Sequence, residues 1–156
     1  MTSGGTGSFE LGTDGPSAIL VGIDGSRNSY RAGAYAAGLA RRQGARIIVV
    51  YVGPVSTMSA GQPSVDAVLL AAQSEVFDQK SADLREQIDT FAEARNLSVT
   101  FVSARGDSFA EISRIADQVR ADAIVVGAST KAGHRLVGSL AVRLVRAGRW
   151  PVTVVP

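Results

Sequence analysis

From Asp122 to Ser139 the chain reads Asp-Ala-Ile-Val-Val-Gly-Ala-Ser-Thr-Lys-Ala-Gly-His-Arg-Leu-Val-Gly-Ser. Ala123 to Val126 form a short apolar run that ends at Gly127. A loop then continues to Gly138, and Ser139 opens an apolar periodic stretch through Leu140, Leu144 and Val145. Glycine permits positive φ and close backbone approach, and the free N–H groups at a helix start attract anions. A strand, a glycine loop and a helix in that order are the parts of a phosphate cradle. The Thr130 hydroxyl and the Lys131, His134 and Arg135 side chains are groups that bind phosphate oxygens. From Ala123 to Pro156 the cations are Lys131, Arg135, Arg143, Arg146 and Arg149, with no Asp or Glu, whereas Asp66 to Glu93 leans acidic. This asymmetry either draws an anion to the loop or marks a solvated basic face balanced by the acidic segment.

Composition excludes several other chemistries. The chain has no cysteine, which removes disulfides, thiolate metal sites and thiol nucleophiles. A lone histidine, His134, cannot build a multi-histidine metal centre. No paired carboxylates, Ser/His/Asp triad or Walker Gly-x4-Gly-Lys-Ser/Thr loop is visible. Ser3 to Ser8 (Ser-Gly-Gly-Thr-Gly-Ser) looks like a phosphate loop but lacks a preceding strand and a following helix. A net charge of +2 gives no reason to expect a nucleic-acid partner. No apolar run approaches the roughly 18 residues of a spanning helix, and no basic-then-apolar leader opens the chain. The expectation is a cytoplasmic protein without a membrane partner.

These residues need a frame to hold them. Residues 1–16 are rich in Gly, Ser and Thr and lack periodicity, so they read as a flexible tail ahead of one domain over 17–156. Strand-length apolar runs occur at Ala18 to Asp24, Arg46 to Val52, Ser98 to Ser103, Ala123 to Val126 and Pro151 to Val155. Helical spacing occupies Ser29 to Gln43, with Ala32, Tyr35, Ala36, Leu39 and Ala40 inward and Gly44 as terminator. It recurs from about Val65 to Arg95, with Leu69, Ala72, Val76, Leu84, Ile88 and Phe91 on one side. Gly53 to Ser64 reads as a loop. Ser108 to Val119 carries Phe109, Ile112, Ile115, Ala116 and Val119 inward, with Ser108 and Glu111 as a capping box. Ser139 to Ala147 is the last helix. Strands alternating with helices predict a single doubly wound, mostly parallel α/β sheet. Ligands of such folds bind beyond the carboxyl ends of the strands, where strand order reverses, which puts Asp24 and Gly127 at one crevice.

Taken together, four segments resemble the universal stress protein family over about Ala18 to Pro156. They are Ile-Leu-Val-Gly-Ile-Asp-Gly-Ser (19–26), Gly-Asp-Ser-Phe-Ala-Glu-Ile (106–112), Ala-Asp-Ala-Ile-Val-Val-Gly (121–127), and Gly-Ser plus a helix and Trp-Pro-Val-Thr-Val-Val (150–155). The resemblance implies strand order 3-2-1-4-5, a homodimer through strand 151–155, and binding of ATP or AMP, with Mg2+ accompanying ATP. It places the nucleotide at Gly22, Ile23, Asp24, Val52, Val126, Gly127, Thr130, Lys131, Gly138, Ser139 and Leu140. The nucleotide-binding branch carries Gly, two residues, Gly, nine residues, then Gly-Ser or Gly-Thr. Here Thr130 replaces the second glycine, seven residues rather than nine precede Gly138, and Ala141 lacks a hydroxyl found in many relatives.

Two readings follow from this mixture. One is a stress-response adenine-nucleotide sensor or adaptor without catalysis; the other is a dimeric interaction module of the same fold that has lost the nucleotide. A hydrolase of the related superfamily would carry Ser-Gly-Gly-x-Asp-Ser after the first strand, where this chain has Asp24-Gly-Ser-Arg. Asp24 is expected to meet adenosine or to cap the next helix, and Val52 to line the adenine pocket or the core. Ser139 is expected to be the helix N-cap, and Trp150 to pack at the sheet edge or dimer interface. Gly127→Val is expected to abolish ATP binding and leave the dimer intact, and Val154→Asp to weaken the dimer.

Overall fold

The apolar runs come together as one sheet. The computed structural model describes residues 15–55, 63–129 and 139–156, with the side chains of 63–66 left aside. Strands β1 (Ala18–Gly22), β2 (Arg46–Gly53), β3 (Val99–Arg105), β4 (Ala123–Gly127) and β5 (Val152–Val155) lie in the order β3-β2-β1-β4-β5. Every pairing is parallel. The central strands are buried on both faces, so β1 and β4 are nearly uninterrupted Ile, Leu and Val where a one-sided strand would alternate.

Helices α1 (Arg27–Gln43) and α2 (Pro63–Glu93) cover one face; α3 (Ser108–Val119) and α4 (Ser139–Ala147) cover the other. The first face has a core of Ile19, Val21, Ile47, Val49, Ala32, Ala36, Ala40, Leu84 and Ile88. The second is built from Leu20, Ile48, Val50, Ile124, Ile112, Ile115 and Leu144, with Trp150 packed against it. The α1 stripe facing the sheet is almost all alanine, which lets that helix lie very close to the strands.

Several expectations need correction. Helix α1 begins two residues earlier than its apolar spacing suggests, because Ser26 caps it: the Ser26 hydroxyl accepts the Ser29 N–H at 3.2 Å. The α3 cap is Asp107, whose carboxylate accepts the Ala110 N–H; Glu111 instead binds Arg114 one turn along. Tyr35 is exposed, since Ala32, Ala36 and Ala40 already fill the buried stripe. On α2 the core contacts begin at Phe77, which stacks on Tyr51, and continue toward the C-terminal end. Leu69, Ala72 and Val76 are exposed, whereas Leu84 and Ile88 are buried. Val145 likewise faces outward. Residues 1–14 of the expected tail and 56–62 of the expected loop lie outside the described residues.

Candidate functional site

Strand order reverses between β1 and β4, whose neighbours lie on opposite sides. Above their carboxyl ends opens a cavity of about 360 Å3. β1 and the turn after it contribute Gly22, Ile23 and Asp24; β2 contributes Val50 and Val52; β4 and its exit contribute Val126, Gly127, Ala128 and Ser129. The remaining wall comes from helix starts. Ser26 and Ser29 belong to the beginning of α1, Ser108 to that of α3, and Ser139, Leu140 and Ala141 to that of α4.

This convergence is the main electrostatic property of the site. Each helix start carries partial positive charge and N–H groups that have no intrahelical partner. Three of them meet at one cavity, and among the described lining residues no Lys or Arg does. Two of the C-terminal cations, Arg143 and Arg149, are engaged away from the cavity. Arg143 pairs with Asp107 at 2.8 Å and stacks on Phe109, while Arg149 pairs with Asp117 at 2.6 Å and stacks on Trp150. The carboxylates that balance them belong to α3 and its cap, not to the acidic α2.

Asp24 is the only titratable side chain among the described lining residues. Its Oδ1 accepts the Ser26 N–H at 2.8 Å, which holds the turn at Gly25 (φ 84°) and orients the start of α1. Burial by itself would raise the carboxyl. Hydrogen bonds from the Ser26 hydroxyl and N–H and from the Ser29 hydroxyl, with the charge of Lys80, outweigh it and hold the group below the usual carboxylate range. Lys80 reaches over from α2 and stands 5.4 Å from the Tyr51 ring centroid. Burial and the Asp24 charge push the Tyr51 hydroxyl upward.

Gly127 lines the cavity and also serves a tight strand exit. A Cβ built there would fall 2.5 Å from the Asn28 carbonyl carbon and 2.7 Å from the Ser29 nitrogen, and would not enter the cavity as open space. The strand exit is pressed against the first turn of α1, and Asn28 Nδ2 donates to the Ala128 carbonyl at 2.9 Å. Gly127→Val would therefore disturb the fold before it could report on a ligand, which corrects the expectation attached to it. Ile23 also differs in part. Its side chain lies in the core under α1, beside Gly33, so what it offers the cavity is backbone.

Of the residues expected at the site, Gly22, Ile23, Asp24, Val52, Val126, Gly127, Ser139 and Leu140 all line the cavity. Thr130, Lys131 and Gly138, with His134 and Arg135, lie outside the described residues. Ser139 is the first helical residue of α4. Sequence reasoning missed Ser26, Ser29 and Ser108. A signal was present: each is a hydroxyl residue near a helix start that follows the carboxyl end of a strand.

The chain resembles known proteins throughout its described length. The family model of the Universal stress protein family matches residues 17–156. Universal stress protein MJ0531 of Methanocaldococcus jannaschii is 29% identical over 139 residues, covering 88% of this chain and 80% of that protein. Universal stress protein UspA from Lactobacillus plantarum superposes with a TM-score of 0.73 at 26% identity, covering 90% of this chain and 97% of that one. A universal stress protein family protein from Arabidopsis thaliana, solved with AMP bound, gives a TM-score of 0.63 at 17% identity, covering 90% of this chain and 91% of that one.

Proposed function

The chain belongs to the universal stress protein family, and on that premise we propose that its cavity binds an adenine nucleotide and that the protein serves as a stress-response sensor or adaptor and not as a catalyst. The observation that carries this reading is the meeting of the α1, α3 and α4 starts at the strand-order reversal. Their summed partial charges favour an anion, and the Ser108 and Ser139 hydroxyls add donors. The AMP-bound Arabidopsis structure supports the same ligand class.

Charge sets the orientation. The ionised Asp24 repels phosphate, so the ribose hydroxyls belong beside it, where they can donate to its second oxygen. The base then rests against Val50 and Val52, and the phosphates lie toward Ser139 to Ala141 at the α4 start. The volume of about 360 Å3 falls within the range of ligand pockets, roughly 300–1,000 Å3. Among the described residues no group of three metal-ligating side chains occurs. Mg2+ would therefore arrive on ATP phosphates, with Asp24 as the one carboxylate among the described lining residues. That carboxylate is committed to Ser26 and the turn it holds, which favours binding without turnover.

We assign the homodimer to the outer edge of β5. Ile124 N–H bonds the Pro151 carbonyl and Ala128 N–H bonds the Val155 carbonyl. Residues 151, 153 and 155 thus face β4, and the backbone groups of Val152 and Val154 face outward, ready to pair with a second strand. No helix among the described residues is long and apolar enough to cross a membrane, in keeping with a cytoplasmic location. Calorimetric titration with AMP and ATP tests the nucleotide reading. Saturable binding supports it. Absence of heat at millimolar ligand would favour the nucleotide-independent interaction module, for which Thr130 and the shortened loop speak.

A further inference from the structure

On the opposite face of the sheet a second cavity, of about 300 Å3, lies between α1, α2 and the strands. It arises from a mismatch of side-chain size. α1 presents Tyr30, Gly33, Ala34 and Ala37 and α2 presents Gln87, Ile88 and Phe91, so past the Tyr30 ring the α1 side offers nothing larger than a methyl group above the buried Val21 and Val49. No charged residue lines it. Its polar groups stand together: the Tyr30 hydroxyl donates to Gln87 Oε1 at 2.9 Å, linking the two helices by a bond between exposed side chains.

We propose that this interhelical cavity binds a small uncharged molecule of one or two rings with a single hydrogen-bonding group, of the phenol or indole class. Apolar walls exclude an ionic ligand, whose charge would lose its hydration without a partner. An enclosed apolar cavity of about 150 Å3 is enough for benzene; this larger space, open on the side of the exposed Tyr30, Ala34 and Gln87, admits one or two rings. The Phe91 side chain supplies an aromatic surface on which such a ring can pack. One polar group on the ligand can replace either member of the Tyr30–Gln87 bond, which fixes its orientation. The site is independent of the nucleotide reading, because it lies on the other face of the sheet.

Indole is the probe. Titrated into uniformly 15N-labelled protein, it should give saturable amide shifts concentrated at Gly33, Ala34, Ala37, Gln87 and Phe91. Ala34→Leu puts a good helix former at an exposed α1 position and places its side chain in the cavity. It should weaken indole binding by more than about tenfold, the scale on which misfitting apolar groups are discriminated. Gln87→Leu, which removes the carbonyl acceptor that the indole N–H takes over from Tyr30, should weaken it several-fold. Shifts that scatter over the surface without saturating would overturn the proposal, as would saturable binding that neither variant alters.

Discussion

Gly127→Ala is the smallest change that challenges the packing of the β4 exit against α1. The added methyl would meet the Asn28 carbonyl carbon at 2.5 Å, its oxygen at 2.6 Å and the Ser29 nitrogen at 2.7 Å. Comfortable carbon contacts begin at about 3.5 Å, so the strand exit and the α1 first turn must separate by about 1 Å. All three atoms are backbone in a capped helical turn, and no rotamer change relieves them. Overpacking of this kind costs about 1–3 kcal/mol, and the separation also strains the Asn28–Ala128 hydrogen bond, worth about 1 kcal/mol. A loss of about 3 kcal/mol, with a urea slope of about 2 kcal/mol/M, lowers the unfolding midpoint by about 1.5 M. Gly22→Ala is the control. Its methyl would lie 3.4 Å from the ends of Ile112 and Val126, which are side-chain methyls that can yield. Its midpoint should move by less than about 0.5 M. Circular dichroism of both variants across urea decides the matter. A Gly127→Ala midpoint equal to that of wild type would refute the close approach.

Asp122→Ala removes the acceptor for the Ser17 N–H, the Ser17 hydroxyl and the Ala18 N–H, at 2.9, 2.8 and 2.9 Å, which pin the start of β1 to β4. Since the group is exposed, the expected loss is about 1–2 kcal/mol, measured by the same urea unfolding. The pH dependence follows from the same contacts. Burial would raise the Asp122 carboxyl, but the Ser17 and Ala18 hydrogen bonds lower it on balance; Asp24 is lowered too. The unfolded chain therefore binds more protons in acid, so both groups stabilise fully above about pH 4 and lose that contribution as pH falls through their folded values. Thermal melts of wild type should fall more steeply below pH 4 than those of Asp122→Ala. Val154→Asp is a poor test of the dimer, because Val154 also packs against the α3/α4 core. Val154→Pro removes the outward N–H, and Val154→Ala, which loses the same packing but keeps that N–H, is its control; only the proline variant should shift sedimentation toward monomer, and an unchanged sedimentation coefficient would contradict the edge pairing.

Strand identity and order were legible because doubly buried strands leave unbroken β-branched runs and because the family resemblance supplied the order. Exposure on α2 was not. The spacing of Leu69, Ala72 and Val76 is the same whether or not a sheet lies beneath them, and only the lateral position of the helix decides that. Tyr35 failed for a related reason, since three alanines had already occupied the buried stripe. Asp24 and Gly127 could be assigned to one crevice from the strand order that the resemblance implied, and Ser139 came with the same resemblance. The contributions of Ser26, Ser29 and Ser108 depend on where two helices, α1 and α3, begin, to a residue, and caps such as Asp107 shift those starts. The reason for Gly127 was hidden because the residue it touches lies about a hundred positions away, at Asn28.

The nucleotide reading stands most directly on an amide footprint. Titrating AMP into the 15N-labelled protein should move Asp24, Ser26, Ser108, Ser139, Leu140 and Ala141 together, with one saturating constant. Amides that remain still at the starts of α1, α3 and α4, or that move only on other surfaces, would contradict the claim that these helix starts form an anion site.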